Sequence, residues 1–188
     1  MIEPTLKYLS DALDSELRKL VGAGEPVVRL GSPGKQSGNA AGDGDNQILM
    51  TLINLEREGT ARNTAQTVRQ IEGATVRVVQ PLNLNLIVLV SARFPDAYDQ
   101  SLKALTGVVA FFQANPVFTP ASAPGLPVGL QRLTVEWRDT DLQAMHNLWS
   151  ALGCDYLPSV AYKVRMLVVD DLLGGPEADI ITGIGVET

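Results

Sequence analysis

The stretch Leu148–Val169, LWSALGCDYLPSVAYKVRMLVV, decides the fold of this chain. It starts as the end of a helix, turns at Gly153-Cys154, passes an aromatic-proline corner and continues as a strand. A glycine directly after a helix is typical of the residue that ends one. The strand is predicted because its apolar residues alternate with Lys163 and Arg165, which is the period of a half-buried strand. The apolar face consists of Tyr162, Val164, Met166 and Val168.

Three helices are predicted from apolar residues spaced three and four apart. The first helix covers residues 2–20 and ends before two glycines. The second opens at Pro95-Asp96, because proline suits a first helical turn, and stops at Pro116. The third begins with a capping box formed by Thr140 and Gln143. The apolar stripes of the three helices are Ile2, Leu6, Leu9, Leu13, Leu17 and Leu20; Tyr98, Leu102, Leu105, Val109 and Phe112; and Leu142, Met145, Trp149 and Leu152.

Further strands are predicted over residues 26–30, 47–55, 83–91 and 130–137, with one irregular strand near 75–79. The strand at 47–55 is apolar on both faces, which predicts a central strand covered on both sides. In regular alternation Leu55 shares a face with Leu49. The glycine-rich segment 31–46 is expected to be a surface loop.

The order of these elements predicts an α+β fold, a mostly antiparallel sheet with about three helices packed on it. We expect one domain over residues 1–169, followed by an acidic C-terminal tail over 170–188. A chain of 188 residues is long enough to bury a core.

The composition excludes several classes of function. The net charge of -6 disfavours general binding to nucleic acid or to anionic membranes, both of which require a basic face. The single cysteine cannot form an internal disulfide, which indicates a reducing compartment. The N-terminus lacks the pattern of a signal peptide, and no segment approaches the about 18 consecutive apolar residues of a membrane span.

No constellation in the sequence predicts catalysis. The Gly34-Lys35-Gln36 segment lacks the glycine spacing and the Ser or Thr of a phosphate-binding loop, and a strand follows it. One histidine, His146, and one cysteine, Cys154, cannot complete a tetrahedral zinc site. We therefore expect no enzymatic activity, no catalytic residue, no metal and no cofactor.

Two features indicate protein interfaces. The segment 57–93 carries arginines but no lysine, and arginine is favoured in partly dehydrated contacts. The tail 170–188 contains five acids and no base, yet it also contains a β-prone run that could add a strand to the sheet edge of a neighbour. The candidate interface residues are Arg57, Arg62, Arg69, Arg77, Leu172, Leu173, Ile180, Ile181, Ile184 and Val186. The alternatives to these interfaces are a solvated arginine face and a disordered terminus.

Four segments carry a family resemblance: the quoted stretch 148–169, the N-terminal MIEPTLKYLSDALDSEL, ILMTLINLERE at 48–58 and LKALTGVVAFFQ at 102–113. Together they resemble the cap, or tail-terminator, proteins of extracellular contractile injection systems of the virulence-cassette and antifeeding-prophage type. The resemblance implies a fold similar to that of phage tail terminators. It also implies a non-enzymatic ring, six-fold in symmetry.

The resemblance implies that this ring ends the inner tube and joins it to the last sheath ring. The implied partners are other copies of the chain, the inner tube protein and the sheath protein, with no nucleic acid and no membrane. The implied location is cytoplasmic assembly in a phage tail-like particle that lysis releases. Two alternatives stay open: another phage-tail-like terminator or baseplate adaptor, and, more distantly, a small nucleotide-binding enzyme.

Overall fold

A computed structural model describes residues 1–21, 25, 27–34, 46–58, 68–71, 74–77 and 82–168. Its elements are α1 (Ile2–Val21), β1 (Val28–Leu30), β2 (Gln47–Arg57), β3 (Val68–Ile71), β4 (Ala74–Arg77), β5 (Leu82–Arg93), α2 (Tyr98–Ala114), β6 (Val117–Phe118), β7 (Leu130–Arg138), α3 (Leu142–Leu152) and β8 (Ser159–Val168). The predicted α+β fold is confirmed.

Six strands form the main sheet, in the order β1-β2-β5-β8-β7-β6. β1 runs parallel to β2, and every other pair in this sheet is antiparallel. Among the described residues, β3 and β4 pair only with each other, as a separate antiparallel sheet. The strand predicted near 75–79 corresponds to β4, whereas its partner β3 and the two-residue β6 were not predicted.

The main core lies between one face of the sheet and the helices α1 and α2. Leu9, Leu13 and Leu17 of α1 are at most 1% exposed, which confirms the predicted stripe over most of its length. Leu20 is 63% exposed, so the stripe ends one turn early. Burying each leucine contributes about 1.5–3 kcal/mol, and this face of α1 therefore supplies much of the stability. The sheet side of the core includes Leu86, Val88, Val90, Tyr162, Val164 and Met166.

The buried face of α2 differs from the predicted stripe. Tyr98 and Leu102 are exposed, whereas Ser101, Ala104, Val108 and Phe112 are buried. The physical reason is close helix packing. A Cβ on Gly107 would lie 2.6 Å from Leu17 Cδ2, so α2 turns its small residues toward α1.

A carboxylate attaches β1 to α1. Asp14 Oδ1 accepts hydrogen bonds from the backbone N–H of Val27 at 2.7 Å and of Val28 at 2.8 Å. Its other oxygen lies 3.9 Å from an Arg18 guanidinium nitrogen. The sequence did not predict this role for Asp14, because its backbone partners are thirteen and fourteen residues away.

α3 lies on the opposite face of the sheet, at the end where β8 begins. Met145 Sδ is 3.9 Å from Ser159 Oγ, and Trp149 is 4% exposed. The predicted capping box was wrong: Asp141 is the N-cap, and it accepts from Ala144 N–H at 2.7 Å. Gly153 ends the helix at φ 66°, as the turn in the quoted stretch predicted.

β2 contains a bulge that the sequence did not reveal. Leu52 pairs with Val88, but Asn54 pairs with Ile87, so Ile53 is an extra residue. An extra residue reverses the alternation that follows it. Leu55 therefore lies on the face of Leu52, and its predicted place beside Leu49 was wrong.

Candidate protein interface

The outer edge of β2 is open over Leu52–Arg57, a segment that we call the open edge. β1 pairs with β2 only up to Met50. Within the described ranges no other strand pairs with this side of β2. Unpaired backbone groups at a sheet edge are a template for a strand from another chain.

The hydrogen-bond register shows which residues present these groups. Ile48 N–H donates to Val27, and the Met50 carbonyl accepts from Gly31, so even-numbered residues up to Leu52 face outward. Beyond the bulge the Glu58 N–H donates to the Asn83 carbonyl, so Glu58 faces β5. Counting back in steps of two, Asn54 and Glu56 also face β5. The outward backbone groups of the open edge therefore belong to Leu52, Leu55 and Arg57.

The open edge is also apolar. Leu52 is 38% exposed and Leu55 is 46% exposed, and the bulge places both side chains on the same face. Exposed edges are usually protected by charge, proline or covering structure. Here Arg57 is the only charged residue among the three that face outward. These properties fit a protein contact better than a solvated edge.

The face of the sheet opposite α1 and α2 carries a network of ion pairs, which we call the charged face. Arg165 lies 3.1 Å from Glu136 and 3.8 Å from Glu58. Arg138 of β7 lies 3.5 Å from Glu56 of β2. β5 and β8 separate these two strands, a distance of about 14 Å in a flat sheet, so this face is concave. All five side chains are partly exposed, and each pair alone contributes little stability.

Two buried acceptors border the charged face. Asn83 Oδ1 and Asn85 Oδ1 are buried and lack a hydrogen-bond partner. Both residues line a cavity of about 170 Å³ together with Glu58, Arg132 and Arg165. A buried acceptor without a partner costs about 1–3 kcal/mol, and a donor from a bound protein would recover that energy.

Only part of the predicted interface lies in the described residues. Arg57 is exposed at the end of the open edge. Arg69 and Arg77 lie on β3 and β4, and Arg62 lies outside the described residues, as do all the predicted tail residues. Arg93 has a structural contact, because its Nη2 donates to the Pro33 carbonyl at 2.6 Å. The open edge from Leu52 onward was missed, since the bulge that shapes it has no sequence signature.

A cleft of about 840 Å³ lies where β5 ends, beside the C-terminal end of α3. Its lining includes Arg93, Tyr98, Trp149, Cys154 and Tyr156. Burial raises the pKa of the Cys154 thiol, against the lowering effect of Arg93, and Asp155 raises it further. A raised pKa keeps the sulfur protonated, whereas a cysteine nucleophile needs the thiolate. The raised pKa therefore disfavours Cys154 as a nucleophile.

In the described part of the chain, no three His, Cys, Asp or Glu side chains are grouped to hold a metal ion. Among the residues that the structure describes, no helix is both long and apolar enough to cross a membrane.

The chain matches the family model of the Pvc16 N-terminal domain over residues 5–182. No curated protein sequence matches it.

Two solved structures are similar in fold. One is described as an extracellular contractile injection system, PVC sheath/tube terminator in the extended state; it is 17% identical, with a TM-score of 0.59. The other is the anti-feeding prophage cap, an AFP tube terminating cap, at 16% identity and a TM-score of 0.55. The alignments cover 96% of this chain, but only 61% and 59% of those chains. This chain is thus similar to about three fifths of each.

Proposed function

The chain belongs to the Pvc16 N-terminal domain family, and on that premise we propose that it is a structural cap of a contractile injection system. In this role it terminates the inner tube and joins it to the last sheath ring, as a six-fold ring of identical subunits. It needs no cofactor and catalyses no reaction. Its partners are its own copies, the tube protein and the sheath protein. It assembles in the cytoplasm and is released with the particle on lysis.

The observation that carries the proposal is the family match across residues 5–182, which is nearly the whole chain. The fold likeness to two tube-terminating proteins supports it independently of sequence identity. The surface chemistry agrees with a structural part. Exposed strand groups at the open edge and partly exposed ion pairs on the charged face suit protein contacts.

A ring explains how such a chain could stop tube growth. A tube grows because each ring exposes a surface on which the next ring docks. In a ring of identical subunits each copy uses two different surfaces, one toward each neighbour. The two faces of the main sheet also differ, since α1 and α2 cover one while the other carries the charged face. A ring with unlike faces can bind the tube on one side only.

Particles assembled with and without the chain test the cap function. Negative-stain electron microscopy should show tubes of uncontrolled length or bare sheath ends when the chain is absent. Particles of unchanged length with normal ends would refute the cap function.

We further propose that the arginine segment 57–93 contacts acidic groups of a neighbouring subunit or of the tube. Replacing Arg62 and Arg69 with glutamate should weaken the ring, because two attractive contacts become repulsive. Replacing Lys103 with glutamate is the matched control, since Lys103 is an exposed lysine on α2 beside Asp99. Ring mass and incorporation into particles are the measurements. Unchanged assembly of the double variant would contradict this contact.

The tail supplies the second proposed contact. We expect residues 172–186 to pair with the sheet edge of the sheath or of a sister subunit. Truncation after Asp170 should leave thermal unfolding unchanged and abolish sheath attachment. Truncated protein that still caps contracted particles normally would exclude the tail from this role.

A further inference from the structure

We infer that the open edge of one subunit, Leu52–Arg57, receives residues 179–186 of the next subunit as an added β-strand. This inference rests on the ring proposed above, and it identifies the edge that the tail occupies. In this arrangement, each subunit contacts the next by donating a β-strand to its sheet.

The open edge has the geometry for such a strand. The backbone groups of Leu52, Leu55 and Arg57 point away from β5 and have no strand partner in the described part of the chain. The outward N–H of Leu55 donates to Asn54 Oδ1 at 2.9 Å, an exposed contact that an added strand would replace. Backbone hydrogen bonds to an added strand provide affinity, and side chains on alternate positions provide specificity. Leu52 and Leu55 supply an exposed apolar row on one face of this edge.

The tail has the matching sequence. In DIITGIGV at 179–186, a period of two places Ile180, Thr182, Ile184 and Val186 on one face, and Asp179, Ile181, Gly183 and Gly185 on the other. The apolar members of the first set can pack beside the leucines of the open edge. The residues are largely β-branched, which favours strands.

Charge also favours this pairing. Residues 170–188 carry five acids and no base, whereas the segment 57–93, which begins at the end of the open edge, carries five arginines against Glu58 and Glu72. The one acid of the open edge, Glu56, lies 3.5 Å from Arg138 on the charged face. Complementary charges favour the correct partner and disfavour others.

The point at which the tail leaves the sheet makes the contact possible. β8 ends at Val168 opposite Leu82, and Arg57 lies opposite Leu84, so the tail and the open edge share one end of the sheet. The ten residues from 169 to 178 span at most about 33–36 Å, enough to reach beyond the subunit. If the tail bound the open edge of its own subunit, it would link no copies. If it binds the open edge of a neighbour, each copy uses two different surfaces, its tail and its open edge, as a ring requires.

Photocrosslinking in assembled particles tests the inference. p-Benzoylphenylalanine is placed at Leu55 of the full-length chain, and at Leu142 as a control, because Leu142 is 90% exposed on α3. Irradiation should give a species of twice the chain mass from position 55, joined to a peptide within 170–188, and no such species from position 142. A crosslink to the tail within one chain, or to any other peptide, would overturn the inference.

A second measurement addresses the backbone contact. With the photocrosslinker at Ile181, Leu55→Pro should abolish the double-mass species, because proline removes an outward N–H that β5 does not use. Leu55→Ala keeps that N–H and should retain the species. Equal crosslinking in both variants would also overturn the inference, provided that both show the unfolding temperature of the parent.

The same particles separate this inference from the proposed function. If the chain is in capped particles but the crosslink is missing, the donated strand is refuted and the cap function stands. If particles lack the chain and their ends are unaffected, the cap function fails and the donated strand fails with it.

Discussion

Replacing Asp14 tests whether one carboxylate holds β1 on α1. Its Oδ1 accepts from Val27 N–H at 2.7 Å and from Val28 N–H at 2.8 Å, and the two valines are only 7% and 5% exposed. Asp14→Ala leaves both donors unsatisfied in a region that water hardly reaches. Asp14→Asn retains the acceptor oxygen and removes only the charge.

The expected loss follows from the hydrogen bonds. A bond to a charged group contributes about 1.5–3 kcal/mol. The two bonds share one oxygen and do not add fully, so Asp14→Ala should cost about 2–4 kcal/mol. The Arg18 contact at 3.9 Å adds little, since Arg18 is 40% exposed. Asp14→Asn should cost about 1 kcal/mol, the difference between a charged and a neutral acceptor.

Urea unfolding at neutral pH, followed by circular dichroism, measures both variants. Hydrogen exchange of the Val27 and Val28 amides reports on β1 itself. Exchange should accelerate strongly in Asp14→Ala and slightly in Asp14→Asn. If the two variants lose equal stability, or if alanine costs under about 0.5 kcal/mol, the carboxylate does not hold β1.

Three further changes have defined outcomes. Asp141→Ala should cost about 0.5–2 kcal/mol in thermal unfolding because it removes the α3 N-cap, whereas Thr140→Ala should stay within about 0.5 kcal/mol. Gly153→Ala should lower the free energy of unfolding by about 1–2 kcal/mol because φ is 66°, and Gly153→Asn should lower it less. Thermal unfolding measures both variants. Burial raises the pKa of Tyr162 to about 12 from 10.0. Tyr162 therefore contributes stability that is present below pH 10 and is lost as the pH rises through 12, as an alkaline unfolding series will measure. Tyr162→Phe should abolish that loss and, since the hydroxyl has no partner, should not destabilise the protein at neutral pH.

The sequence predicted those elements that have one strong period and one buried face. α1 and β8 are such elements: Leu9, Leu13 and Leu17 are buried on one, and Val164 and Met166 on the other. Their patterns work because the opposite face is polar, so only one orientation buries the apolar side. The family resemblance is also confirmed, by the match over residues 5–182.

Prediction failed where side-chain pattern does not determine the backbone. α2 is apolar around most of its surface, so its stripe had no unique position, and the close approach of Leu17 to Gly107 decided it. The bulge at Ile53 left no mark in composition, yet it put Leu55 beside Leu52. The arginine segment and the tail stay predictions. The open edge could be identified only from the register of β2 with β1 and β5.

Termination of a tube, on the proposed function, depends on a difference between surfaces and not on any one group. No side chain need react, so no catalytic spacing marks the role in a sequence. What the chain must have is two unlike faces and two unlike contacts between neighbours. In the proposed ring, the face covered by α1 and α2, the charged face, the open edge and the β-prone tail are the four surfaces assigned to these contacts. Blocking the open edge should therefore break the ring while both faces of each subunit keep their structure. If Leu55→Pro gives a folded subunit that no longer caps particles, the subunits must form the ring before they bind the tube.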